Sequence, residues 1–163
     1  MDSPHRRSAI PTLSYEKILI RAVGGALGIA IMTTLAHASG QPLMMVPFAT
    51  SIVLVMGSPE APPARPRAVV GGHVLSALAG ILCVTVFGDA FWVPAVGVGL
   101  AIALMHAAKA FHPPAGISPL IITSQHATPL FLLSPVLSGA LILVAFAFVY
   151  HRLSGETWPE GWT

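Results

Sequence analysis

The chain has 163 residues, of which 55% are hydrophobic and only 9% charged, with a mean hydropathy of +0.79. A water-soluble domain carries about a quarter charged residues, so this composition excludes one and indicates an integral membrane protein. The formal net charge is only +2, which makes the placement of charges the informative quantity, and the single cysteine, Cys83, excludes an intrachain disulfide.

Residues 1–17 form a basic leader (Arg6, Arg7, Lys17) with no cleavage site ahead of a short apolar core, and this reads as cytoplasmic. One transmembrane domain is expected over residues 18–152. Its first segment, Ile18 to Ala38, is long enough for a bilayer core of ~30 Å, and Gly24, Gly25 and Gly28 offer a small-residue face for close helix contact. The second, Leu43 to Gly57, is only about 22 Å long at ~1.5 Å per residue and contains Pro47. A proline-rich loop with Arg65 and Arg67 leads to the third segment, Val69 to Phe87, entered at Gly71-Gly72-His73. After the turn at Gly88-Asp89 come the fourth, Phe91 to Ala110, a short fifth, Ala115 to Ser124, and the sixth, Leu130 to Tyr150. The tail, residues 153–163, is expected to be interfacial or loose, with Trp158 and Trp162 as headgroup anchors. His37 and His126 are also expected at the interface.

The two halves resemble one another. Ala22–Met32 aligns without a gap on Ala95–Met105 with seven identities in eleven, and the motif from Pro47 to Ser51 parallels that from Pro114 to Ser118. The fold class that follows is all-α, with six helical segments, four long and two short or broken. They form two three-segment inverted repeats, about 22–87 and 95–150. Segment length alone favours four crossings with two re-entrant segments, which would place Arg65 and Arg67 outside. The positive-inside rule favours six, because it returns Arg65 and Arg67 to the side of the N-terminus. Both termini are then cytoplasmic in a multi-pass protein of the cell (inner) membrane, and the surface left open by broken helices suggests a homo-oligomer.

Candidate site residues concentrate between Met105 and Thr123. His106, Lys109 and His112 are spaced three apart, so on a helix they share a drifting side. Pro113 and Pro114 end that helix near Phe111, and a new short helix starts near Ala115. A lysine at mid-helix costs ~2.5–3.5 kcal/mol on insertion scales, so it faces a cavity or a partner. All six carboxylates lie in loops or tails. A bound anion therefore suits Lys109 better than an internal acid. Helices starting near Pro47 and Pro114 would aim free N–H groups at the same region, with Thr50, Ser51, Gly116, Ser118 and His73 completing the site. Each has a plainer reading: Lys109 snorkelling to headgroups, His-Pro-Pro as a structural kink, His73 as a packed residue, and the serines as helix contacts. The histidines supply no ligand set for a metal, no cofactor is expected, and no paired acid and base point to an enzyme.

The stretches PFATS with the following GSPEAP, PRAVVGGH, and FHPPAG together resemble the HPP family of small integral membrane proteins, over about Ala22 to Tyr150. Members of that family have been assigned to nitrite transport. The resemblance implies a permease for a small anion such as nitrite, with the lipid bilayer as its other partner and no nucleic acid. The alternative is a non-transporting membrane scaffold or assembly factor. A transporter predicts a polar, water-reachable pocket containing Lys109 and His112, and a scaffold predicts a dry, filled interior.

Overall fold

A computed structural model describes residues 13–161 of the chain. Arg6, Arg7 and Trp162 lie outside the described residues. The described residues form six α-helices and no strand: α1 (Tyr15–Ser39), α2 (Val46–Gly57), α3 (Pro66–Phe87), α4 (Val93–Ala107), α5 (Ser118–Ser124) and α6 (Ser138–Leu153). Three helical stretches, Tyr15–Ser39, Pro66–Phe87 and Pro129–Leu153, are long and apolar enough to cross a membrane, and α2 and α4 are shorter apolar helices.

Local chemistry sets the ends. Ser14 caps α1 by accepting from the Lys17 N–H at 3.4 Å, and Gly40, at φ 68°, closes it with its N–H on Ala36 O. Proline stands in the first turn of α2, α3, α4 and α5, where its missing N–H costs nothing.

Hydrogen bonds between elements define the direction of each leg. Arg21 donates to Gly57 O, Tyr150 Oη to Ile20 O, and His151 Nε2 to Val55 O, so α1 begins where α2 and α6 end. Arg67 donates to Ala108 O, which joins the start of α3 to the end of α4. At the opposite end Ser134 Oγ donates to Gln41 Oε1. The helix α5 runs alongside α3, with His112 beside Gly72 and Pro119 seated on Gly80 and Gly97. The six legs therefore alternate in direction, and both ends of the described chain fall at one end of the bundle.

Small residues admit the close packing. A Cβ at Gly28 would meet Ile52 and Phe146 at 3.0 and 2.9 Å, and one at Gly24 would meet Tyr150 at 2.5 Å, whereas Gly25 faces open space. The main core lies between α1, α2 and α6 around Met32, Phe48, Ile52, Met56 and Leu143.

The structure corrects four expectations. First, α4 stops at Ala107, not near Phe111, because Lys109 takes a left-handed conformation (φ 53°). The Ala110 N–H then reaches Met105 O at 2.8 Å and the Lys109 N–H reaches His106 O, the paired bonds of a Schellman cap. Second, the chain resumes as a 3₁₀ turn, Pro113–Ile117, and becomes α-helical only at Ser118. Third, regular helix in the last leg starts at Ser138, because Pro135 holds Ser134 extended (φ −138°, ψ 119°). Fourth, Trp158 is no headgroup anchor. It is 5% exposed, belongs to the main core, and donates Nε1–H to Ala64 O at 3.2 Å.

Candidate functional site

Three polar side chains converge where α2, α3 and the α4–α5 connection meet. Ser51 is the second-turn residue of α2 that points inward. Its Oγ lies 2.7 Å from His112 Nε2, 3.0 Å from His73 Nε2 and 2.6 Å from Pro47 O. His112 Nδ1 lies 2.7 Å from the Pro63 carbonyl oxygen, and a carbonyl can only accept, so Nδ1 carries a hydrogen. Phe48 stacks on His73 with ring centroids 4.6 Å apart. Ser51, His73 and His112 are between 0% and 1% exposed, so the cluster is closed to solvent.

Backbone geometry places each member. His112 is held extended (φ −132°, ψ 92°) by Pro113, which turns its ring back towards the bundle. Its Cβ approaches so near to α3 that a Cβ on Gly72 would lie 2.5 Å away, and only glycine fits there. Phe48 forms the floor, and the turn Pro62–Ala64 brings Pro63 O over the outer edge of His112.

Above the cluster, at the end of the bundle where α3 starts, lies a recess of about 220 Å³. Arg65, Arg67 and Lys109 line it together with Pro62, Pro63 and Phe111. Pro63 is shared: its residue forms part of the recess wall and its carbonyl holds His112. No Asp or Glu occurs on α2, α3, α4, α5 or α6. Four described acids, Glu16, Glu60, Glu156 and Glu160, instead border a separate recess of about 680 Å³ beside Lys17 and Arg21. There Arg21 pairs with Glu60 at 3.1 Å and Glu156 at 3.5 Å.

The expected site residues divide between these places. His112, His73 and Ser51 come together. Lys109 lines the recess but does not share a face with His106 and His112, because the helix has already ended beneath it. His106 is exposed and stacks on Phe111 at 4.1 Å. Thr50 points outward, its hydroxyl bonded to Val46 O and Pro47 O, and borders a shallow apolar hollow with Pro113 and Pro114. Ser118 is buried at the first residue of α5 and shares no hydrogen bond with the cluster, and Gly116 lies against Met105. The backbone N–H groups after Pro47 and Pro114 are not free to bind an anion: Phe48 N–H donates to Met45 O and Ala115 N–H to His112 O.

One feature escaped the sequence reading, and one of the serines read there as a helix contact stands apart. Pro63 O fixes the tautomer of His112, a role no side-chain pattern announces. Ser76, one turn beyond His73 on α3, is fully buried with an Oγ that makes no hydrogen bond.

Comparison with known proteins adds a family. The model described as "HPP, transmembrane region" matches residues 10–159. Two transmembrane proteins of Dictyostelium discoideum are 36% and 34% identical to the chain over 124 residues, covering 71% of it in each case. The match spans 44% and 40% of those two proteins, so the chain corresponds to less than half of either. No solved structure matches the chain.

Proposed function

The chain belongs to the HPP transmembrane family, and from that footing we propose that it is a membrane permease for a small inorganic anion, nitrite or one of similar size and charge. The observation that carries this reading is the adjacency of a cationic recess (Arg65, Arg67, Lys109) to a buried imidazole pair, with Pro63 common to both. An apolar bundle free of internal carboxylates offers a cation no counter-charge, and the basic recess repels it. The same interior offers an anion two imidazoles and two hydroxyls. Ser76 extends the polar groups along α3, on the side of His73 away from the recess.

In this reading all six legs cross the cell membrane. Lys17, Arg21, Arg65, Arg67, Lys109 and Arg152 collect at one end of the bundle, which the positive-inside rule assigns to the cytoplasm together with both ends of the described chain. The triples α1–α3 and α4–α6 are inverted repeats, and the opposite directions of α1 and α4 are what that relation requires. In this reading the role is non-enzymatic: Ser51, His73 and His112 bind a passing ion and its proton and transform nothing.

One observation favours a second reading, a non-transporting scaffold: the cluster is 0–1% exposed, which a purely structural polar knot would also be. Uptake by purified protein in liposomes across a panel of small anions separates the two. Anion uptake that falls about tenfold or more in Lys109→Ala is expected, since removing a charge near the path costs ~1.4 kcal/mol or more at low effective dielectric. Undiminished uptake by Lys109→Ala would remove the recess from the mechanism, and no uptake by folded wild-type protein would leave the scaffold.

A further inference from the structure

Hydrogens can be counted against contacts in the buried cluster. There are four short polar contacts: His112 Nδ1 to Pro63 O, His112 Nε2 to Ser51 Oγ, His73 Nε2 to Ser51 Oγ, and Ser51 Oγ to Pro47 O. The three at 2.6–2.7 Å are shorter than the 2.9 and 3.1 Å pair over which the Thr50 hydroxyl shares one hydrogen, and each calls for a hydrogen of its own. A neutral cluster supplies three: one from each imidazole and one from the hydroxyl. Pro63 O demands that the His112 hydrogen sit on Nδ1, which leaves Nε2 bare. If Ser51 then donates to Nε2, its 2.6 Å approach to Pro47 O has no hydrogen; if it donates to Pro47 O, the 2.7 Å contact to Nε2 has none. Every neutral arrangement leaves two lone pairs facing one another in a site closed to water.

A fourth hydrogen resolves this only at one atom. With Nε2 of His112 protonated, His112 and His73 both donate to Ser51 Oγ, and Ser51 donates to Pro47 O. The hydroxyl then accepts twice and donates once, its full capacity. Adding the proton to His73 does not help, because His73 engages the cluster only through Nε2, which already donates. We propose that Ser51, His73 and His112 form a one-proton site, with His112 the group that carries the proton and Ser51 the residue that positions it.

This deepens the permease reading and rests on it for its purpose. The groups around His112 would resist a standing charge: burial penalises it, and Arg65, Arg67 and Lys109 in the recess repel it, as does any charge on His73. The two carbonyl oxygens of Pro47 and Pro63 favour it. No carboxylate lies on α2, α3, α4, α5 or the Pro113–Ile117 turn, and Glu60, in the loop before α3, is held by Arg21. An anion arriving in the recess supplies the missing negative charge. Proton and anion then load together, and affinity for the anion rises as pH falls, with the reciprocal rise in proton affinity that linkage demands.

The test is ¹⁵N nuclear magnetic resonance of histidine-labelled protein in detergent, from pH about 5.5 to 8, where an ordinary imidazole titrates. Nitrate in excess serves as the anion, since it carries no proton of its own in this range. His112, identified by the resonance lost in His112→Gln, is expected to show both ring nitrogens protonated with nitrate present. Ser51→Ala, a small-volume change that removes three of the four contacts, should lower its proton affinity at least about tenfold, or one pH unit. His73→Gln, whose amide can still donate to Ser51, should retain it. A bare Nε2 on His112 across the range, with nitrate present, overturns the proton site. A protonated His112 in protein that neither responds to nitrate nor takes up anions supports the proton site and overturns the permease reading instead.

Discussion

Gly72→Ala perturbs the site by a single methyl group. A Cβ at Gly72 would stand 2.5 Å from the Cβ of His112, and also 3.2 Å from Ala110 O and 3.4 Å from Met105 Sδ. Carbon atoms in contact rest at about 3.5–4.0 Å, so the overlap is about 1 Å or more. Both Cβ atoms are fixed to backbone, so no rotamer relieves it, and α3 must part from the α4–α5 connection. Displacing His112 by that amount carries its 2.7 Å bonds to Ser51 and Pro63 beyond the ~3.2 Å limit of a good hydrogen bond. Overpacking costs ~1–3 kcal/mol, and orphaning buried polar groups adds about 1–3 kcal/mol. The helix-propensity gain of alanine over glycine returns at most ~1 kcal/mol. A net loss of about 1–5 kcal/mol is expected, read as a lower unfolding temperature in detergent, together with loss of nitrate uptake. Gly25→Ala and Gly99→Ala meet nothing within 4 Å and serve as controls. If Gly72→Ala matches these two in unfolding temperature and uptake, the close seating of His112 on α3 is refuted.

Three further variants probe other joints. Lys109→Gly should leave the fold as stable or up to about 1 kcal/mol more stable, because glycine adopts the left-handed cap without strain, while anion uptake falls with the lost charge. A drop in both would mean that the lysine side chain holds the fold. Trp158→Ala should cost about 3 kcal/mol in thermal unfolding, since it empties a core position and frees Ala64 O. An unchanged unfolding temperature would return Trp158 to the membrane surface. Glu60 has its carboxyl held below the usual range: burial pushes it up, but its own backbone N–H and then the bond and charge of Arg21 outweigh that, with Lys17 assisting. A depressed carboxylate contributes stability above its unfolded value and loses it as pH falls through the folded one. Glu60→Gln should therefore cost under ~1 kcal/mol near neutral pH, given a half-exposed pair, and converge with wild type below about pH 4. A gap that widens in acid would contradict this sign.

The membrane class and the six helical legs were legible because both follow from composition and from where apolar runs stop. Proline made the breaks visible as well: Pro113 disfavours a helical His112, and the structure holds that residue extended. What could not be read was convergence. Ser51 and His112 stand 61 positions apart, and nothing in either neighbourhood states that the two side chains share a hydrogen bond. Lys109 misled for a different reason. Lysine is a good helix former, so the periodic spacing of His106, Lys109 and His112 implied one continuous face, whereas the left-handed cap at Lys109 turns the chain four residues before the proline pair. Trp158 misled because aromatic residues near a membrane end usually face headgroups. Its indole N–H found a buried carbonyl at Ala64 instead, a partner set by the fold of the tail.

The distribution of charge has a physical logic that ties the recess to the cluster. A permanently charged side chain inside an apolar bundle is costly throughout the working cycle, including when no ligand is present. The described chain keeps its permanent cations at one end, where Arg65, Arg67 and Lys109 border a recess. Deeper in, it places only groups without a permanent charge: a hydroxyl and two imidazoles. In the proposed permease the interior charge would exist only while an anion is there to balance it, so the desolvation cost would be met when it is useful and absent otherwise. A lysine in place of His112 would hold its charge in the empty state and trap the first anion that reached it. A glutamine would accept neither charge nor proton and would leave the anion with no compensating partner. Histidine is the one side chain whose proton can arrive and leave with the anion near neutral pH. The short turn that holds Pro63 O against its ring decides which nitrogen is free to do so.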